Sequence, residues 1–198
     1  MVDDLKLSQQ LVMTPQLQLA IKLLGTPTTE LAALLAAWCA DHPGTLTERD
    51  PDEPNPVELE DEEGPLWTAL AEPPEPRFTG TPDVWIFGNP PQVRANAAAV
   101  PRLVAVADDP GARWILRAVR QRAKTYETVV RAVVAMRPQL ATSLAPNTLE
   151  PVAIRAVAEA IGMHESTVSR VGSAVRFHNL HGVIAFAPRR SKLAFAPI

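Results

Sequence analysis

Between Ile154 and Arg176 the sequence gathers residues whose types and spacing suit contact with a polyanion. His164, Glu165, Ser166, Thr167, Ser169 and Arg170 fall on one short stretch. Short polar side chains at the start of a helix suit base edges and phosphates in a major groove, and the Arg170 guanidinium suits guanine or phosphate. Arg155 and Arg176 flank the stretch and complete the candidate DNA-binding set. A helical hairpin with no ligand is the plain alternative. The surrounding charge favours the nucleic-acid reading: residues 101–198 hold fourteen Lys/Arg against six Asp/Glu, whereas residues 41–75 hold twelve Asp/Glu against one Arg. An overall net charge of -3 hides this division, which joins a polyanion-binding end to an acidic middle.

These side chains need a scaffold. A first helix is predicted from about Pro151 to Ile161, with Ile154, Val157, Ala158 and Ile161 on its inner face. Gly162 supplies the left-handed residue of a tight turn. A second helix begins at Glu165 or Ser166, with Val168 and Val171 inward. Ala158, Gly162 and Val168 have the small–Gly–apolar spacing of a DNA-binding helix-turn-helix. Upstream, a long helix is predicted from Ala112 to about Leu140. Its apolar residues recur at three-to-four spacing, and its exposed side is basic. Val84–Phe87 and Gln92–Arg94 suggest a short hairpin, marginal if isolated.

The N-terminal part reads differently. Thr14 caps a helix from Pro15 to Leu24, and Gly25 ends it. Thr28 or Thr29 opens a second helix to about Ala40, which His42-Pro43-Gly44 terminates. This pair either packs on the rest of the chain or docks on a partner. Docking on a partner is preferred, because the segment that follows is rich in charge and proline and reads as a disordered tether. Competition of this acidic tether with DNA for the basic half is a further reading. The single cysteine, Cys39, reads as a buried structural thiol in a reducing compartment. Neither a signal peptide nor a membrane span is recognisable. No catalytic constellation, metal set or cofactor motif is visible, so an enzyme is not expected.

Read in order, the blocks LKLSQQLVMTPQLQLAIKLL (5–24), TPDVW (81–85), VPRL (100–103), ARWILRAVRQRAKT (112–125) and IRAVAEAIGMHESTVSRV (154–171) resemble the sigma-54 family of bacterial transcription initiation factors. The resemblance implies a cytoplasmic, nucleoid-associated protein with three partners: core RNA polymerase, an AAA+ activator ATPase and promoter DNA near the −12 element. It implies that Leu7, Gln9, Gln10, Leu11, Met13, Pro15, Gln16, Leu17 and Leu19 face the activator and polymerase. Most of the family's core-binding domain is missing before TPDVW, and no Ala-Arg-Arg-Thr box follows the helix-turn-helix. The expectation is therefore a shortened, divergent and degenerate member. A competitor module of the same system and a truncated, non-functional paralog stay open as alternatives. The expected fold is mainly α: an opening region (1–42), an acidic Pro-rich linker (43–82), a core-binding remnant (83–111), and a long helix with a helix-turn-helix (112–198).

Overall fold

The computed structural model describes residues 14–48, 81–106, 109–189 and 191–198. Helix α1 spans Pro15–Gly25, and the Thr14 hydroxyl accepts a hydrogen bond from the Leu17 amide at 3.2 Å. Helix α2 spans Thr28–Asp41, and His42 closes it. The His42 ring stacks on Trp38 with centroids 4.2 Å apart. The short strand β1, Leu46–Glu48, pairs antiparallel with β4, Leu103–Ala105. Strands β2, Val84–Phe87, and β3, Gln92–Ala95, form the hairpin that the sequence suggests.

Helix α3, Pro110–Met136, is the spine of the molecule. Asp109 caps it, accepting from the Ala112 amide at 2.6 Å, and Pro110 occupies its first turn. It ends where Arg137 leaves helical geometry ahead of a 3-10 turn at Pro138–Ala141, because the residue before proline is pushed out of the α region. After a second 3-10 turn come strand β5, Val152–Ala153, then α4, Ile154–Ile161, and α5, Glu165–Ala174. Strands β6, Arg176–His178, β7, Val183–Arg189, and β8, Lys192–Pro197, complete the chain's described elements.

The sheet corrects the expectation of a mainly α protein. Eight strands accompany five α-helices among the described residues, and six of the strands form one sheet in the order β3-β2-β6-β7-β8-β5. Residues 183–197 alternate large and small side chains. Ile184, Phe186, Leu193 and Phe195 point into the core, with alanines between them. That period of two belongs to a half-buried strand. The β2–β3 hairpin is not isolated, since β2 runs parallel to β6 and joins this sheet.

Two apolar cores result. The larger one packs the sheet against the C-terminal half of α3 and against α4 and α5. Tyr126, Val129, Val130, Val133, Val157, Val168, Val171, Phe177 and Leu193 are all fully buried in it. The smaller one holds Leu23, Leu31 and Leu35 of the N-terminal hairpin against Ile115 and Val119 of α3. The hairpin thus lies on its own chain, contrary to the preferred expectation that a partner would cover it. Each fully buried aliphatic side chain contributes about 1.5–3 kcal/mol, and the hairpin gains it on α3, with Leu24 reaching the larger core. Cys39 is half-buried rather than buried. No helix among the described residues is long and apolar enough to cross a membrane.

Candidate nucleic-acid interface

The turn between α4 and α5 forms as its residues require. Gly162 adopts φ 65 and ψ 30, and its amide reaches back to the carbonyls of Ala158 and Glu159. This left-handed position excludes most side-chain-bearing residues at little cost only to glycine. Val157, Ala158, Val168 and Val171 are buried between the helices, at 2% exposure or less. Helix α4 starts at Ile154, three residues later than predicted, because Val152 and Ala153 pair with β8 instead.

Helix α5 carries the candidate face. His164 caps it: the Nδ1 atom accepts from the Ser166 amide at 3.1 Å and lies 2.8 Å from the Ser166 hydroxyl. The Arg170 Nη1 donates to the same hydroxyl at 3.3 Å. His164, Ser166 and Arg170 therefore form one hydrogen-bonded row along the exposed side of the helix. His164 and Glu165 are exposed, while Ser166, Thr167, Ser169 and Arg170 are half-buried. Arg155 stands exposed at the start of α4, paired with Glu159 at 2.8 Å. That carboxylate pushes the guanidinium's already high pKa further up, so Arg155 is a permanent cation. Arg176 lies beyond the end of α5 in β6, half-buried, with its backbone bound to Asp83.

Helix α1 lies against α5. The described part of the opening region and the candidate reading helix are therefore neighbours in the fold. Within that region Pro15, Gln16 and Leu17 are exposed, and Leu19 packs at the edge of the smaller core. Leu7, Gln9, Gln10, Leu11 and Met13 lie outside the described residues.

A buried polar node fixes this arrangement. Arg122 of α3 donates to the carbonyls of Leu23 (3.1 Å) and Thr26 (2.8 Å) and to the Thr28 hydroxyl (3.0 Å). It also pairs with Asp83 at 3.4 Å, with both side chains at 3% exposure or less. The Thr28 hydroxyl donates to the Asp83 carboxylate. The other Asp83 oxygen accepts from the Arg176 amide at 2.8 Å. Tyr126 stacks beneath the Arg122 guanidinium at 4.2 Å, and its hydroxyl donates to the Leu24 carbonyl at 2.8 Å. One ion pair thus joins the turn of the N-terminal hairpin, the spine helix, the start of β2 and the exit of α5. Helical spacing places Arg122 in the inward series of the long helix, but no local signal pairs it with Asp83, 39 residues away.

The order of elements around α5 defines a class. A helix (α3), a short strand (β5), two helices (α4 and α5), strand β6 and the β7–β8 ribbon come in that order, and β5 pairs with the ribbon as β7-β8-β5. This is a winged helix-turn-helix, a DNA-binding architecture. Comparison with known proteins agrees. Residues 107–187 match the family described as "Sigma-54, DNA binding domain", and residues 4–40 match "Sigma-54 factor, Activator interacting domain (AID)". Together the two matches cover more than half of the chain, which belongs to the sigma-54 family.

Several relatives share this likeness. RNA polymerase sigma-54 factor 1 of Bradyrhizobium diazoefficiens is 48% identical over 60 residues, which is 30% of this chain and 12% of the relative. RNA polymerase sigma-54 factor of Caulobacter vibrioides is 42% identical over 62 residues, 31% of this chain and 12% of the relative. The factor of Azorhizobium caulinodans is 40% identical over 73 residues, 37% of this chain and 14% of the relative. The chain thus aligns with only 12–14% of the length of these curated relatives.

Proposed function

We propose that this chain acts as a sigma-54-type transcription initiation factor: it contacts core RNA polymerase and an AAA+ activator ATPase, and it binds promoter DNA near the −12 element through α5. In this reading His164, Glu165, Ser166, Thr167, Ser169 and Arg170 face the groove, with Arg155 and Arg176 on flanking phosphates. The exposed start of α1, Pro15, Gln16 and Leu17 together with Leu19, receives the activator and polymerase. Leu7, Gln9, Gln10, Leu11 and Met13, outside the described residues, take part in the same contacts in this reading. The chain works by binding, and ATP hydrolysis belongs to the activator. Such a role places it in the bacterial cytoplasm, at the nucleoid.

The observation that carries the reading is the packing of α1 against α5. It sets the segment matched to the activator-interacting family beside the segment matched to the DNA-binding family. A partner that displaces α1 alters the surroundings of the reading helix directly. Fluorescence anisotropy with a labelled duplex carrying a −12 element tests the DNA contact. Arg170→Ala and Ser166→Ala should each weaken specific binding by about 1–3 kcal/mol. Specific binding unchanged by both substitutions refutes the assigned face. Co-purification of core polymerase with the full chain tests the second contact, and its absence at modest salt counts against it.

A further inference from the structure

Asp83 lies outside both segments that match the family's domains, yet it meets the chain where α5 ends. Its backbone and its side chain close on one residue. The Asp83 amide donates to the Arg176 carbonyl at 2.8 Å, and the Arg176 amide donates to Asp83 Oδ2 at 2.8 Å. These two bonds stand next to the parallel β2–β6 pairing of Val84 with Phe177. Arg176 is two residues past the end of α5, and the Val175 amide before it still donates to the Val171 carbonyl of that helix at 2.9 Å. The path by which Arg176 leaves α5 is therefore set at Asp83.

Asp83 is itself held from several directions. Its carbonyl accepts from the Asn96 amide at 2.8 Å, and the Asn96 side chain donates to the Pro82 carbonyl at 2.7 Å. Arg122 and the Thr28 hydroxyl engage Asp83 Oδ1 and leave Oδ2 for the Arg176 amide. The carboxylate is buried, with its side chain 2% exposed. Removing that acceptor leaves the Arg176 amide unmatched, a state the backbone relieves by shifting.

We infer that Asp83 is a positioning residue for DNA binding: its carboxylate aims Arg176, at the exit of α5, toward a phosphate of the bound duplex. Asp83 touches no DNA and acts through Arg176. This inference rests on the proposed phosphate contact of Arg176, and the experiment separates the two.

The test compares two variants that both lack the buried guanidinium. R122M/D83L removes the acceptor and fills the node with hydrocarbon. R122M/D83N keeps an oxygen for the Arg176 amide. Affinity of the full chain for a −12 duplex is measured across a series of salt concentrations. R176A and R122M/D83L should each reduce the slope of log affinity against log salt by about one, while R122M/D83N keeps the wild-type slope. Adding R176A to R122M/D83L should reduce the slope no further, whereas adding R155A should reduce it by about one more. A merely structural Asp83 shifts the urea midpoint of R122M/D83L and leaves its slope at the wild-type value. That result, with R176A effective, overturns the inference. Independent, additive losses from R176A and R122M/D83L overturn it as well. So does an equal loss in R122M/D83N, which assigns the effect to Arg122. A wild-type slope in R176A removes the Arg176 contact and this inference with it, and leaves the role of α5 to be judged by Arg170→Ala. If R122M/D83L does not fold, Asp83→Glu takes its place. It keeps the charge facing Arg122, displaces the acceptor by one methylene and should give the same loss of slope; a wild-type slope there overturns the inference.

Discussion

The two apolar cores of this molecule are built to different rules. The larger is continuous and nearly all hydrocarbon, and it closes a sheet over three helices. The smaller centres on five buried residues of a helical hairpin and the first half of α3, with partly buried neighbours such as Trp38, Leu46, Val100 and Leu103 around them. What ties the hairpin to the larger body is largely polar: the Arg122–Asp83 pair, the Thr28 hydroxyl and the Tyr126 hydroxyl. Apolar packing tolerates small shifts, whereas a buried ion pair loses its energy when one partner moves or is missing. The large core packs α4 and α5 on the sheet through hydrocarbon alone. The polar node fixes the turn of the N-terminal hairpin on α3 through charged and hydroxyl groups rather than hydrocarbon.

Substitutions that strike one region and spare the other sharpen the contrast. The largest effects belong to the large core and the node. Phe177→Ala should cost about 3–5 kcal/mol, read by urea denaturation, as a cavity opens beside Phe186. Arg122→Met strands the buried Asp83 carboxylate and should cost about 3–5 kcal/mol by the same method. Adding Asp83→Leu should recover much of that loss, because the uncompensated charge is gone. If the double variant is no better than the single one, the node does not hold the hairpin as described. Leu31→Ala should cost about 2–5 kcal/mol, with faster hydrogen exchange confined to α1 and α2. Equal acceleration in β7 and β8 would mean that the two cores melt as one.

Smaller effects sit at the edges. Thr14→Ala removes the α1 cap and should cost about 1 kcal/mol of local stability, seen as faster exchange at the start of α1. His178 offers a pH test of the large core alone. Burial pushes its imidazole below the ordinary 6.5, against a smaller opposing pull from the Asn179 backbone. The unfolded chain therefore takes up the proton more readily than the folded one. Stability from this group is complete above about pH 6.5 and declines as pH falls through that value. The urea midpoint of the wild-type chain should fall below pH 6.5 more steeply than that of His178→Phe. Parallel pH profiles contradict the assignment.

Local signals in the sequence gave the helices well. Thr14 and Pro15 mark the start of α1, and Gly162 marks the turn between α4 and α5. Val168 and Val171 mark the buried face of α5. The polar residues of α5 were legible for the same reason, since helical periodicity leaves them on the outer side. The sheet was not read, although the alternation of Ile184, Phe186, Leu193 and Phe195 carries its signature. The β2–β6 pairing joins segments some ninety residues apart, and nothing local announces it. The Arg122–Asp83 pair has the same character. At helical spacing Arg122 falls on the buried side of α3 with Ile115, Val119, Tyr126 and Val129, and what nothing local announces is the arrival of Asp83 and the carbonyls of residues 23 and 26 that lets a charge stay there.

Hydrogen–deuterium exchange of the full chain, with and without a −12 duplex, tests the central claim most directly. DNA should slow exchange across residues 164–173 and leave the buried stretch of α3 around Val129–Val133 unchanged. Unaltered exchange at 164–173 in a chain that binds the duplex would place the interface elsewhere and contradict the account.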